Sequence, residues 1–203
     1  MVCRSGYRWI MVLIVTVGLA SAVFALDKVQ PTPGAIQLGN FDGAKTKIQP
    51  YDDRAGNRFS ISKTAIVNDA IEGDQAMQYT YKLDGWCGFA LAASDAKAIN
   101  WDWSAYDSFS FWFKGQNSGV KFGLDLQDKG DERFAAYFVD DSTEWKQVVF
   151  PLSSFILRPD YQDPNAKRNG TIDWPLKAFA VYVLTPKVAS SGIFDDFEVL
   201  PKK

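Results

Sequence analysis

The residues from Asn100 to Gly115 constrain the fold of this chain more than any other stretch. After a turn rich in Asp and Ser, phenylalanine alternates strictly with other residues. Phe109, Phe111 and Phe113 lie on one side, and Ser108, Ser110, Trp112 and Lys114 lie on the other. A period of two with aromatic residues predicts a half-buried β-strand. Because a row of phenylalanines is stable only against another apolar layer, this strand also predicts a second sheet that faces it.

The same alternation returns along the chain. Further alternating segments lie at 76–83, 120–127, 133–139 and 176–184, and the predicted first and last strands are at 36–41 and 193–200. Turn signals separate these segments about every eight to twelve residues, and no segment has a long helical period. Many short strands at this spacing predict an all-β sandwich, with a jelly roll as the best assignment.

The first 25 residues have the pattern of a secretory signal peptide. Arg4 and Arg8 precede an apolar segment at 10–22, and residues 23–25 supply the small residues of a cleavage site. An uncleaved anchor stays open as an alternative, because residues 9–25 are nearly long enough to cross a bilayer. We expect an exported protein, periplasmic or secreted, with no membrane span once the segment is removed.

The rest of the chain divides into a linker at 26–35, which contains Pro31 and Pro33, and one domain at 36–203. Arg4 and Arg8 leave with the signal segment and no acid does, so 22 basic residues become 20 against 24 acidic ones. This balance argues against a nucleic-acid partner.

Cysteine and histidine usage excludes several kinds of site. Only Cys87 remains after removal of the first 25 residues, so no intramolecular disulfide can form. The sequence has no histidine, which excludes histidine-based catalytic triads and histidine zinc sites.

One face of the predicted sandwich has the composition of a sugar-binding surface. Flat aromatic rings cover the apolar faces of pyranose rings, and planar polar groups bind hydroxyls in fixed directions. The outward-facing candidates are Asp125, Gln127, Arg133, Tyr137 and Tyr182, with Trp86, Arg158 and Trp174 on the rim. The alternative is a solvated sheet face with ordinary cross-strand charge pairs.

A calcium site is the second candidate, because Ca²⁺ takes several oxygen ligands, carboxylates among them. The first and last strands of a jelly roll lie side by side, so Asp42 and Asp195 are expected to meet there, with Glu72 as a third ligand. Asp195 is preferred to Asp196 because it shares parity with Phe197 and is expected to face inward, where an unpaired carboxylate is costly. The alternative is a surface acidic pair with a turn aspartate.

Three sequence blocks resemble family 11 carbohydrate-binding modules and, more loosely, the related complex I intermediate-associated protein 30 domains. The blocks are Trp-Ser-Ala-Tyr-Asp-Ser-Phe-Ser-Phe-Trp-Phe-Lys-Gly at 103–115, Thr-Glu-Trp-Lys and Val-Phe-Pro-Leu-Ser-Ser-Phe within 140–155, and Phe-Asp-Asp-Phe-Glu-Val-Leu at 194–200. The similarity runs from about Ile36 to Leu200. It implies a galactose-binding-like jelly roll with structural calcium, a concave face for a β-glucan chain, and no catalysis.

The chain departs from the family in lacking an enzyme domain beside the module and in its 158–170 loop, which contains Lys167 and Arg168. The predicted function is a non-catalytic carbohydrate-binding module. Two rivals stay open. One is an exported structural or assembly protein that uses the sandwich as a scaffold for a protein partner in the cell envelope. The other is a glycoside hydrolase with two carboxylates.

Overall fold

The computed structural model describes residues 28–43, 47–53 and 59–203. The predicted signal segment at 1–25 lies outside these residues. The strands are Ile36–Gly39 (β1), Gln49–Asp52 (β2), Ile61–Val67 (β3), Ala76–Lys82 (β4), Cys87–Ala92 (β5), Tyr106–Lys114 (β6), Lys121–Gln127 (β7), Arg133–Val139 (β8), Trp145–Pro151 (β9), Ile156–Leu157 (β10), Ala178–Val183 (β11) and Ala189–Pro201 (β12). A short 3-10 turn spans Leu152–Ser154. The described segments contain no helix with the length and apolar character that a membrane span requires.

The strands form two antiparallel sheets, which confirms the predicted all-β sandwich. The first sheet has the order β3-β4-β12-β6-β9, and β1 pairs with the second half of β12. The second sheet has the order β10-β8-β7-β11-β5-β2. The first and last strands therefore lie side by side, as expected.

Aromatic rings dominate the core between the sheets. Phe109, Phe111 and Phe113 of β6 are buried there, as the alternation predicts. The rings of Phe113 and Phe194 have centroids 4.8 Å apart, and those of Phe111 and Phe197 are 5.2 Å apart. Such pairs contribute about 0.5–1.5 kcal/mol each beyond the area that they bury. Phe122, Leu124 and Leu126 of β7 close the core from the second sheet.

The segment expected to be a linker packs onto the domain where the structure describes it. Val29 forms a parallel bridge with Glu72, and its N–H donates to the carbonyl of Ile71 at 3.0 Å. The N–H and Oγ1 of Thr32 both donate to the carboxylate of Glu198, each at 2.8 Å. Because Glu198 is buried, its carboxylate requires donors, and residues 28–35 supply part of them.

Candidate functional site

Three tyrosines and two glycines form a row across the outward face of the second sheet. The strand registers align Tyr51 with Gly88, Gly88 with Tyr182, Tyr182 with Gly123, and Gly123 with Tyr137. A Cβ on Gly123 would collide with the ring of Tyr182, and one on Gly88 would collide with Tyr51. The ring of Tyr51 therefore lies across Gly88, and the ring of Tyr182 lies across Gly123. The row crosses five strands, a distance of roughly 19 Å at about 4.8 Å per strand spacing.

Beside this row, the small neighbours of Asp125 leave a depression in the face of the sheet, here called the trough, which the side chains of Arg133 and Arg158 cover, so that Asp125 is buried. The cross-strand neighbours of Asp125 are Ala180 and Ala135. Nη1 of Arg133 donates to Oδ2 of Asp125 at 2.6 Å, and Nη1 of Arg158 donates to the same oxygen at 3.1 Å. The Asp125 side chain is 1% exposed, so two guanidinium groups share one buried carboxylate oxygen.

Arg158 is fixed by contacts on several sides. Its Nε and Nη2 donate to Asp160, each at 2.9 Å, and its guanidinium lies 3.9 Å from the ring centroid of Tyr182. Tyr161, which is 47% exposed, lies 5.6 Å from the same guanidinium. Burial acts to lower the pKa of Arg158, but the bonds to Asp160 and the charge of Asp125 raise it above its ordinary value. Arg158 is therefore a fixed positive charge.

Several polar atoms on this face have no hydrogen-bond partner among the described residues. They are Oδ1 of Asp125, Nε of Arg133 and the hydroxyl of Tyr182. Burial raises the pKa of Tyr182, so its hydroxyl stays neutral and can donate or accept. An unsatisfied buried polar group costs about 1–3 kcal/mol, so a hydroxyl-bearing ligand or water that reaches these atoms is favoured.

Seven of the eight predicted sugar-binding residues lie on or beside this face. They are Trp86, Asp125, Gln127, Arg133, Tyr137, Arg158 and Tyr182. Gln127 accepts from Nη2 of Arg133 at 3.3 Å, and Trp86 lies at one end of the row, where its ring is 5.9 Å from that of Tyr51. Tyr137 marks the other end, with Nζ of Lys121 4.5 Å from its ring centroid.

Trp174, the eighth, lies elsewhere. Its ring contacts Trp103 at 6.4 Å and packs against the hydrophobic core. The chain that follows is held toward the core because the N–H of Leu176 donates to the carbonyl of Trp101 at 3.0 Å. Trp101 and Trp103 are themselves buried, with stacked rings 5.8 Å apart.

Sequence reasoning missed two tyrosines on this face, Tyr51 and Tyr161. Tyr51 lies on β2, a four-residue strand that contains Pro50 and is too short to show an alternation. Tyr161 lies in the loop after β10, where no periodicity applies. A local signal could have found Tyr161, because it follows Arg158, a predicted site residue, by three residues.

A second group of acids lies at an irregularity in β12. The register against β6 shifts between Asp195 and Glu198, and Asp196 has a φ of 50°. Asp195 therefore pairs with Trp112 on the outer face, whereas Phe197 is buried in the core. The expectation that Asp195 faces inward by parity with Phe197 is wrong, because a bulge adds one residue to the strand and breaks the alternation.

Of the three predicted calcium ligands, Asp42 and Asp195 bind the backbone of the loop at 71–75, and Glu72 belongs to that loop. Oδ2 of Asp195 accepts from the backbone N–H groups of 71–72, each at 3.0 Å, and Oδ1 of Asp42 accepts from those of 74–75, each at 2.7 Å. Within the part of the chain that the structure covers, no three His, Cys, Asp or Glu side chains form a group that could hold a metal ion.

Two of the acids at and beside the bulge, Glu72 and Asp196, each have one oxygen without a donor in the described residues. Burial raises the pKa of Asp195 to about 6 and that of Asp196 to about 7. Burial and the charge of Asp42 also raise the pKa of Glu72. In the described segments, Oε2 of Glu72 and Oδ1 of Asp196 have no hydrogen-bond partner. Such a group favours either a proton or a cation.

The sequence matches two longer proteins, an endoglucanase and a mannosidase, over part of their length. Endoglucanase H of Acetivibrio thermocellus is 28% identical over 146 residues, which are 69% of this chain and 15% of that protein. A mannan endo-1,4-β-mannosidase of Bifidobacterium adolescentis is 28% identical over 134 residues, which are 60% of this chain and 12% of that protein. The chain thus corresponds to a small part of each relative.

Solved structures of family 11 modules share the fold. The module from Clostridium thermocellum in complex with a β-1,3-1,4-mixed-linked tetrasaccharide has a TM-score of 0.64 and 21% identity, over 82% of this chain and 95% of its own. The module of a cellulosomal cellulase of that organism has a TM-score of 0.67 and 22% identity, over 83% and 95%. The sequence profile described as carbohydrate binding domain (family 11) matches residues 27–197. The chain therefore belongs to family 11 of the carbohydrate-binding domains.

Proposed function

We propose that this protein is a non-catalytic module that holds a β-glucan chain along the outward face of its second sheet. The observation that carries the proposal is the row from Tyr51 through Tyr182 to Tyr137, beside the trough around Asp125. The exposed rings of Trp86 and Tyr161 beside the row supply the apolar contact, and the arginines over the trough supply directional hydrogen bonds, as a pyranose requires. Membership of family 11 and the tetrasaccharide bound to a family 11 module support the β-glucan class.

In this proposal, different side chains make different kinds of contact with the sugar chain. Tyr182 is 5% exposed because Arg158 covers it, so the sugar chain meets the guanidinium there rather than the ring. The exposed rings of Trp86 and Tyr161 stack on sugar faces, whereas Arg133 and Arg158 donate their remaining N–H groups to hydroxyls. Because these guanidinium groups are already held in place, binding orders few side chains.

The acids of the face act as positioning groups in this proposal rather than as catalysts. Asp125 and Asp160 are both in ion pairs with Arg158. A glycosidase instead requires two carboxyl groups free to serve as acid and as base or nucleophile.

Affinity electrophoresis in gels that contain soluble mixed-linked β-glucan tests the proposal. The protein should be retarded, and Tyr161→Ala should remove most of the retardation, because the 47%-exposed ring of Tyr161 is lost. Ile66→Ala is the matched control, since Ile66 is 46% exposed on β3 of the other sheet. Unretarded protein contradicts sugar binding, hydrolysis products indicate an enzyme, and equal retardation of both variants contradicts the choice of face.

We also propose a structural calcium ion at the β12 bulge. The unpartnered oxygens of Glu72 and Asp196 fit a cation that favours oxygen ligands, and Asp42 and Asp195 hold the adjoining loop. Since the described acids form no three-carboxylate group, the remaining ligands would be backbone carbonyls and water. Bound calcium would neutralise buried acids and so stabilise the fold.

A thermal melt tests this second proposal. Calcium should raise the melting temperature of chelator-treated protein, since a ligand bound only by the folded state stabilises it. Glu72→Gln should remove that increase, whereas Asp141→Asn, at an exposed surface pair, should keep it. A melting temperature indifferent to calcium contradicts the site.

Export is proposed on the basis of residues 1–25, with their two arginines, apolar segment and small-residue cleavage site. Expression of the full chain in a bacterial host, followed by fractionation and mass determination, tests it. A protein of full-length mass found in the cytoplasm would contradict export.

A further inference from the structure

A cleft of about 490 Å³ lies between the two sheets at one side of the sandwich. It lies between β8 and β9, where neither sheet is closed by another full strand. β9 is the last strand of its sheet, and β10 pairs with β8 only at Ala135 and Phe134. Along that edge of β8, residues 136–139 have no strand partner among the described residues.

The cleft is amphipathic. The rings of Phe138 and Phe150, with centroids 6.4 Å apart, line its inner part, and Val139 and Val149, which are 45% and 44% exposed, also line it. Hydroxyl, amide and charged groups also line the cleft. This combination of apolar surface and hydrogen-bonding groups suits a sugar ring, which has apolar faces and a polar circumference.

Tyr137 connects this cleft to the row of tyrosines. It is the last residue of that row, and it also lines the cleft. A sugar chain that follows the row from Tyr51 crosses the strands and leaves the sheet at Tyr137, because no strand lies beyond β8 at that level in the described residues. The next space on its path is the cleft.

We infer that the cleft between β8 and β9 is an extension subsite for the same polysaccharide chain, so that the module binds long internal segments of a β-glucan better than short oligosaccharides. The inference rests on the proposed function. Its occupant is the continuing sugar chain, which would place further pyranose rings against Val139, Val149 and the edge of Phe138.

Isothermal titration with mixed-linked β-glucan tetrasaccharide and octasaccharide tests the inference. The octasaccharide should bind roughly tenfold more tightly, the equivalent of one or two additional ring contacts. Val149→Asp, which places a charge in the cleft, should bring the octasaccharide affinity down to that of the tetrasaccharide. Ile66→Asp is the matched control, because Ile66 is equally exposed on β3, at the opposite edge of the same sheet, and should leave both affinities as in the parent chain.

The outcomes distinguish a failure of the extension subsite from a failure of the proposed function. If the tetrasaccharide binds but the octasaccharide gains nothing, or if its gain survives Val149→Asp, the extension subsite is refuted and the proposed face stands. If neither oligosaccharide binds, the proposed function itself is refuted and the subsite with it. Amide chemical shifts offer a second readout, since those of Val139 and Val149 should move with the octasaccharide and stay in place with the tetrasaccharide.

Discussion

The ring of Tyr182 lies between Gly123 and the guanidinium of Arg158. On one side, a Cβ at Gly123 would overlap the ring, and on the other the guanidinium is 3.9 Å from the ring centroid. The height of the ring above the sheet therefore sets the height of Arg158 above the trough. A glycine on β7 thus positions an arginine of the candidate site.

Gly123→Ala should raise this ring and weaken binding of mixed-linked β-glucan by roughly tenfold. It should also lower the free energy of unfolding by about 1–3 kcal/mol, the usual cost of overpacking. Titration calorimetry and denaturant unfolding measure the two effects. Gly130→Ala is the control, since its Cβ would lie 3.3 Å from the Cβ of Lys167, away from the face. Unchanged affinity in Gly123→Ala would contradict the positioning role.

Asp125→Ala should destabilise the fold by about 3 kcal/mol or more, because it leaves two partly buried guanidinium groups without their shared acceptor. Urea unfolding measures the change. Asp141→Ala is the comparison: its pair with Lys146 is more than half exposed on both sides, so no measurable loss is expected. If Asp125→Ala and Asp141→Ala had the same free energy of unfolding, the trough would be solvated rather than preorganised.

In the presence of a chelator, the free energy of unfolding should fall as the pH rises from 4 to 7. The pKa of Asp195 is raised to about 6 and that of Asp196 to about 7, both from 3.8. The folded chain therefore binds more protons than the unfolded chain in this window, and the stabilisation present below pH 4 is lost as the pH passes through the folded-state values. A tenfold change in proton affinity corresponds to about 1.4 kcal/mol, so the loss is on the order of 3 kcal/mol for Asp195 alone.

Asp196→Asn is the matched variant for this pH dependence, because Asn cannot titrate and tolerates the positive φ at that position. Denaturant unfolding at several pH values should show a shallower fall in the variant than in the parent chain. Parallel curves would mean that Asp196 does not carry the effect.

Cys87 should be unreactive toward thiol reagents in the folded protein. Its side chain is fully buried, and burial raises its pKa to about 11. Since the thiolate is the reacting form, both access and ionisation oppose modification at pH 8. Ellman's reagent on a Cys3→Ser chain should report one thiol in denaturant and none without it. Rapid labelling of the native chain would contradict the packing of β5.

The alternation in the sequence predicts the sandwich and the direction of side chains along its regular strands. On β7, Phe122 and Leu124 face the core and Asp125 faces outward, because a strand turns successive residues to opposite faces. The same rule fails at Asp195, where a bulge changes the parity in the middle of β12. No local pattern marks that bulge, since it occurs where the partner of β12 changes from β4 to β1.

Periodicity does not predict which residues join or leave the site through contacts with residues far away in the sequence. Tyr51 joins the row because β2 pairs with β5, more than thirty residues along the chain, and Trp174 leaves the face because it packs on Trp103. The covering of Tyr182 by Arg158 depends on a loop whose course no alternation defines.

The alternation in the sequence is enough to predict which side of each regular strand is apolar, and with it the two-layered fold and the outward set of Asp125, Arg133 and Tyr137. Strand pairing and loop paths settle which outward residues meet, that Arg158 rather than the ring of Tyr182 meets the solvent, and that Asp42 and Asp195 both bind the loop at 71–75. The physical reason is that burial follows from local periodicity, whereas the assembly of a site depends on strand pairing and loop paths between residues far apart in the chain.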